Sequence, residues 1–178
     1  CTLLGVGPMS LNCVDAVCDI ANIHLIPIML IASRRQVDSQ EIGGGYVNNW
    51  TTEDFARYVK KNDKKDLVLL SRDHGGPWQN NSEIEQKLNL EAAMKSAKNS
   101  FLTDIKSGFK VIHIDPSIDP YNSPKTETVL DRIYELYEFC SEVALKNKKE
   151  IIFEIGTEEQ SGSTNTPAEL EYIIEKVN

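Results

Sequence analysis

Asp73 and His74 stand side by side in "LLSRDHGGPWQ", where an apolar run of strand length gives way to two glycines and a proline. A carboxylate beside an imidazole can hold a divalent cation or move a proton, depending on what else reaches it. Residues of the same chemical types recur where other apolar runs end. His113 and Asp115 lie in "VIHIDPS", and Glu154 and Glu158 lie in "FEIGTEEQSG". Arg34, Arg35, Gln36 and Asp38 lie in "SRRQVD", ahead of the glycines of "GGGYVNNW". One or two imidazoles with a carboxylate can bind a divalent metal and leave coordination positions open. Such a metal polarises a carbonyl, while a second carboxylate transfers a proton. On this reading His74, His113 and Glu154 are the metal ligands and Asp73 is the acid/base group. Arg34 or Arg35 pairs with a phosphate or carboxylate on the substrate. Gln36, Asp115 and Glu158 are further substrate contacts, and Gly44 and Gly45 let the backbone approach the ligand closely.

Each of these residues also has a plainer reading. His113 alternates with Ile112 and Ile114, so it points to the opposite face of its strand and could be a satisfied core histidine. Glu154 could be buried against a partner such as Arg72, and the arginines could be solvated. Convergence on one rim favours the functional reading. No cysteine falls on that rim, which disfavours Cys-His catalysis.

The elements that must bring these residues together follow from periodicity. Apolar runs at residues 3–6, 26–32, 67–70, 111–114 and 151–155 read as strands. Their continuous apolar character predicts parallel strands buried on both faces. Helical periodicity falls between them, over residues 10–22, 52–61, 82–107, 126–148 and 166–177, the third broken near Asn89. Ser10 and Thr51 or Thr52 are N-cap candidates, Gly108 is a stop signal, and Pro167 suits a first helical turn. His24 falls in the loop before the second strand, on the opposite rim. Repeated βα units predict an α/β protein, either a doubly wound sheet or a (β/α)8 TIM barrel. Both architectures bind ligands at the carboxyl ends of the strands. The turn "GVGPMS" is not a dinucleotide fingerprint, and no phosphate-binding GxxxxGK[ST] loop occurs, which weakens the doubly wound reading. The whole chain, 1–178, reads as a single domain with about five βα units, the amino-terminal part of a barrel that typically needs about 250 residues.

Composition narrows the partners. The net charge is −8, and 26% of residues are charged without any basic stripe, so no nucleic acid and no anionic membrane surface is expected as a partner. The four cysteines show no zinc-ribbon or redox spacing and read as thiols of a reducing, cytoplasmic compartment.

The motifs "RRQVDSQEIGGGYVNNWTTEDF", "SRDHGGPWQ", "GFKVIHIDPS" and "EIGTEE", in this order, resemble the non-catalytic (accessory) subunit family of class II tagatose-bisphosphate aldolase. The matching positions are Gln36-Val37-Asp38, Gly44-Gly45-Tyr46, Asp54-Phe55, Asp73-His74, Trp78-Gln79 and Gly108 to Asp115. Pro116 departs from the pattern, which has cysteine there. The resemblance implies a TIM barrel and a place in carbohydrate metabolism. It implies a ketose phosphate or related sugar as ligand, and a class II aldolase catalytic subunit as partner, in a homo- or hetero-oligomer. Catalytic class II aldolases share the fold and use zinc, and their strand-end Asp-His matches Asp73 and His74. Three roles therefore stay open: an accessory sugar-binding subunit, a metal-dependent aldolase or sugar-phosphate 4-epimerase acting by retro-aldol chemistry, and a structural module for an aldolase partner.

Overall fold

In the computed structural model, residues 2–157 and 166–177 are described. Five strands, β1 (Leu4–Val6), β2 (Ile28–Ser33), β3 (Val68–Gly75), β4 (Val111–Ile114) and β5 (Ile152–Ile155), form one sheet. All are parallel, and their order in the sheet is their order in the chain. The helices are α1 (Leu11–His24), α2 (Thr52–Asn62), α3 (Asn81–Glu85), α4 (Leu90–Ser107), α5 (Thr126–Lys146) and α6 (Pro167–Val177). The break expected near Asn89 separates α3 from α4, and His24 ends α1 rather than lying in a loop. A doubly wound sheet reverses its strand order at a switch point. This sheet has no reversal, and successive helices pack side by side, α1 on α2, α2 on α4, α4 on α5 and α5 on α6. That is the winding of a partial (β/α) barrel.

Local signals set the helix ends. Ser10, Thr51 and Asn89 accept hydrogen bonds from the backbone N–H groups of Cys13, Asp54 and Ala92 and so cap α1, α2 and α4. Gly108, at φ 98°, ends α4 in a conformation other residues resist.

The strands are not buried on both faces as their apolar runs suggested. In β2, Ile28, Leu30 and Ala32 are buried while Met29, Ile31 and Ser33 are half-buried. Among the described residues, helices cover one face of the sheet. That face, with Val14, Phe55, Ala97, Phe101, Ile105, Ile112, Ile114 and Ile133, forms the core. Each fully buried phenylalanine there contributes about 1.5–3 kcal/mol. A charged group also sits in the core. β3 extends past Leu70, so Arg72 lies within the strand, fully buried. It donates to Asp104 of α4 at 2.6 and 2.7 Å and to the Ala32 and Val37 carbonyls at 2.9 and 2.8 Å. Arg72 is therefore paired with Asp104, not with Glu154, and it ties β2, β3 and α4 together beneath the carboxyl rim.

Candidate functional site

The rim is shaped by an irregularity in β3. Arg72 pairs with Ile112 and Gly75 with Ile114, so Asp73 and His74 together oppose the single residue His113. A regular strand would send Asp73 and His74 to opposite faces. The bulge re-aims them toward a common partner. Its cost is visible at His74, which takes φ 42°, in the left-handed region a side chain disfavours. Behind it, Gly75 and Gly76 have no room for a Cβ against the His113 and Asp115 carbonyls.

Asp73, His74 and His113 consequently form one cluster, each offering a ligand atom within 4.8 Å of the others. Asp73 Oδ1 lies 3.8 Å from His74 Nε2 and 3.7 Å from His113 Nδ1. The imidazole centroids are 5.1 Å apart, and the His74 N–H donates to His113 Nδ1 at 3.3 Å. The side chains of Asp73 and His74 are 36% and 33% exposed, so solvent and a small ligand reach them. As expected, His113 faces away from the helices while Ile112 and Ile114 face them.

Asp115 holds the cluster from below. Its Oδ2 accepts from His74 Nδ1 at 2.7 Å, and its Oδ1 accepts from the Ser117 hydroxyl and N–H at 2.5 and 3.2 Å. Burial pushes the Asp115 carboxyl up, but the bonds from His74 and Ser117 outweigh it and hold the group below the usual carboxylate range. An ionised carboxylate only accepts, so His74 Nδ1 donates and Nε2 faces the cluster. The same bond raises His74 above the usual imidazole value against the opposing effect of burial. Burial also pushes Asp73 up, but His113, His74 and Arg72 overcome it and keep Asp73 ionised. The result is a half-exposed anion between two imidazoles, one of them oriented by a buried carboxylate. That donor set fits a divalent metal, with His74 braced through its second nitrogen.

The other expected site residues fare differently. Glu154 is exposed, lies in register with His113 across β4 and β5, and adds its negative charge to the field at His74, but it is outside the ligand cluster. Arg34 turns into the protein. It is fully buried, with Nε on Asp38 at 2.9 Å, Nη2 on Glu83 at 2.7 Å and Nη1 on the Gly76 carbonyl at 2.6 Å. A guanidinium with its donors so engaged is a structural strut. Arg35 is half-buried and its Nε has no hydrogen-bond partner. Gln36 is buried, accepting from the Ser33 N–H and reaching Met9 Sδ, so it braces its own loop. At Gly44 and Gly45 a Cβ would strike the Trp50 and Gln36 carbonyls, so close packing of the loop on itself already requires glycine there. Asp115, at 1% exposure, is a brace for His74 rather than a substrate contact. Glu158 lies outside the described residues. Sequence reasoning missed Gln79, Ser117 and Asp104 as parts of the support; only the motif "WQ" hinted at the first.

A one-way parallel winding with helices on one face, and chemistry gathered at the carboxyl ends of its strands, defines a barrel-type α/β protein. Within that class, residues 9–172 match the family model described as D-tagatose-1,6-bisphosphate aldolase subunit GatZ/KbaZ-like, and the chain belongs to that family. Membership sets it in carbohydrate metabolism. Its fold is similar to the crystal structure of a probable tagatose 6 phosphate kinase from Sinorhizobium meliloti 1021, with a TM-score of 0.72 at 24% identity. The match covers 98% of this chain and 42% of that one, so the chain spans less than half the length of its solved neighbour. Among the described residues, no helix is long and apolar enough to cross a membrane.

Proposed function

We propose that the rim of β3 and β4 is a divalent-metal site that binds a ketose phosphate or related sugar. The observation that carries this reading is the bulge that sets Asp73 and His74 against His113, with ligand atoms within 4.8 Å of one another. His74, His113 and Asp73 would hold the ion, and a bound divalent ion, zinc by preference for this donor set, would polarise a sugar carbonyl. Asp73 thus exchanges roles with Glu154. A carboxylate held ionised between two imidazoles is a better ligand than proton carrier, because proton transfer favours a group whose pKa lies near the working pH. Glu154, exposed and directed to the same face as His113, is the carboxylate left to move a proton. Arg35, half-buried just beyond β2, is the arginine left to pair with the sugar's anionic group.

Zinc titration followed by elemental analysis tests the reading. Wild type is expected to retain one zinc per chain, and His74→Ala to retain none. Wild type without stoichiometric zinc or manganese would overturn it. The burial of Arg34 favours a second reading, in which the chain serves an aldolase catalytic subunit without turning over sugar itself. Under it the chain co-purifies with such a subunit, and His74→Ala leaves the partner's activity unchanged.

A further inference from the structure

Asp115 is an enclosed carboxylate beneath the rim, and its contacts have one consequence for His74. Its Oδ2 accepts from His74 Nδ1 at 2.7 Å and from Gln79 Nε2 at 3.1 Å. The same Gln79 nitrogen lies 3.1 Å from the Asp115 backbone carbonyl. One amide therefore spans the main-chain and side-chain oxygens of one residue, which fixes the carboxylate's rotation. The Ser117 hydroxyl and N–H are on the other oxygen, Oδ1. Gln79 is 2% exposed and reaches this position because the chain wraps around Asp115. The Asp115 N–H donates to the Gly75 carbonyl at 2.7 Å. Trp78 takes φ 58°, and its indole N–H is anchored on the Leu88 carbonyl at 2.9 Å. An amide suits the task. It donates without neutralising the carboxylate, as arginine or lysine would, and without repelling it, as glutamate would.

We propose that Gln79 is a positioning residue which, by gripping Asp115, locks His74 in the Nδ1–H tautomer and leaves Nε2 as the free nitrogen beside Asp73. The inference concerns this chain's own residues; only its consequence for metal affinity rests on the metal-site reading.

The test compares wild type with Gln79→Met, which keeps length and volume but removes the donor. Nitrogen-15 long-range correlation spectra report the tautomer, at a pH where the rings are neutral. With three histidines in the chain, assignment is direct, and exposed His24 serves as an unchanged internal reference. Wild-type His74 is expected as the pure Nδ1–H form, and Gln79→Met as a mixture. A wild-type ring in any other tautomer, or a variant ring identical to wild type, would overturn the proposal. If Gln79→Met does not fold, Gln79→Asn, an amide one methylene shorter, carries the same comparison. Zinc titration then separates this inference from its parent. An oriented ligand predicts that affinity falls about tenfold or more in the variant, beyond any change in apo-protein melting. If wild type binds no zinc, the metal reading falls while the tautomer result still decides the role of Gln79.

Discussion

At the scale of single residues, the rim is an arrangement of charges whose balance depends on pH. His74 has an ordinary value of 6.5 and is raised by its bond to Asp115. Its contribution to stability is complete below that ordinary value and is lost as pH rises through the higher folded value. Asp115 has an ordinary value of 3.8 and is held below it by His74 and Ser117 despite burial. Its contribution is present above that value and is lost as pH falls through the lower folded one. Stabilisation by the pair is therefore greatest between the two ranges. Urea midpoints measured at about pH 5.5 and about pH 9 should fall more toward high pH in wild type than in Asp115→Asn. An equal fall in both would show that the pair is not the titrating element. Arg34 carries a second prediction. Its removal leaves Asp38 and Glu83 buried without their cation, so Arg34→Ala should cost about 3–5 kcal/mol in urea unfolding. A loss below about 1 kcal/mol, the size of an exposed pair, would mean that the buried network carries no strain when opened.

At the scale of elements, the decisive feature is one extra residue in β3. The bulge gives the cluster its geometry and leaves His74 at φ 42°. Glycine at position 74 loses the imidazole but accepts that conformation, whereas alanine loses the imidazole and keeps the strain. His74→Gly should therefore be more stable than His74→Ala by about 1 kcal/mol, read from chemical denaturation without metal. Elsewhere in helical proteins glycine is the weaker choice, so the reverse order would argue against a strained backbone here. The cap of α4 offers a control remote from the rim. Asn89 accepts from the Ala92 N–H at 2.9 Å, and Asn89→Ala should cost about 1 kcal/mol without altering zinc binding.

At the scale of the whole sheet, the consequence of a one-way winding among the described residues is two edges, β1 and β5. Both carry exposed apolar side chains, with Leu4 at 59% and Ile152 at 64% exposure. Unpaired edges with apolar surface pair readily with other strands, and lysine on such an edge discourages it. Sedimentation velocity on this chain should show concentration-dependent association, which Leu4→Lys combined with Ile152→Lys suppresses. Unchanged association in the double variant would locate the contact elsewhere.

The amino-acid sequence by itself determined the parts whose physics is local. Strand and helix positions follow from apolar periodicity and from Ser10, Thr51, Asn89 and Gly108, because capping and backbone preference act over three or four residues. The family resemblance, and the choice of Asp73, His74 and His113 as candidates that gather at one rim, were also legible, since the strand ends announce the rim. Only the tertiary structure decided how those residues are used. Arg34 read as a rim cation and Arg72 as a partner for Glu154, yet both are core struts, because their partners Glu83 and Asp104 lie tens of residues away and burial cannot be counted along a chain. The open face of the sheet was hidden for the same reason: an apolar run looks alike whether one face or two are covered. The bulge in β3 was equally invisible, because it exists only as a mismatch of register with β4. That mismatch turned two neighbours meant for opposite faces into one cluster, with Asp115 and Gln79 beneath it.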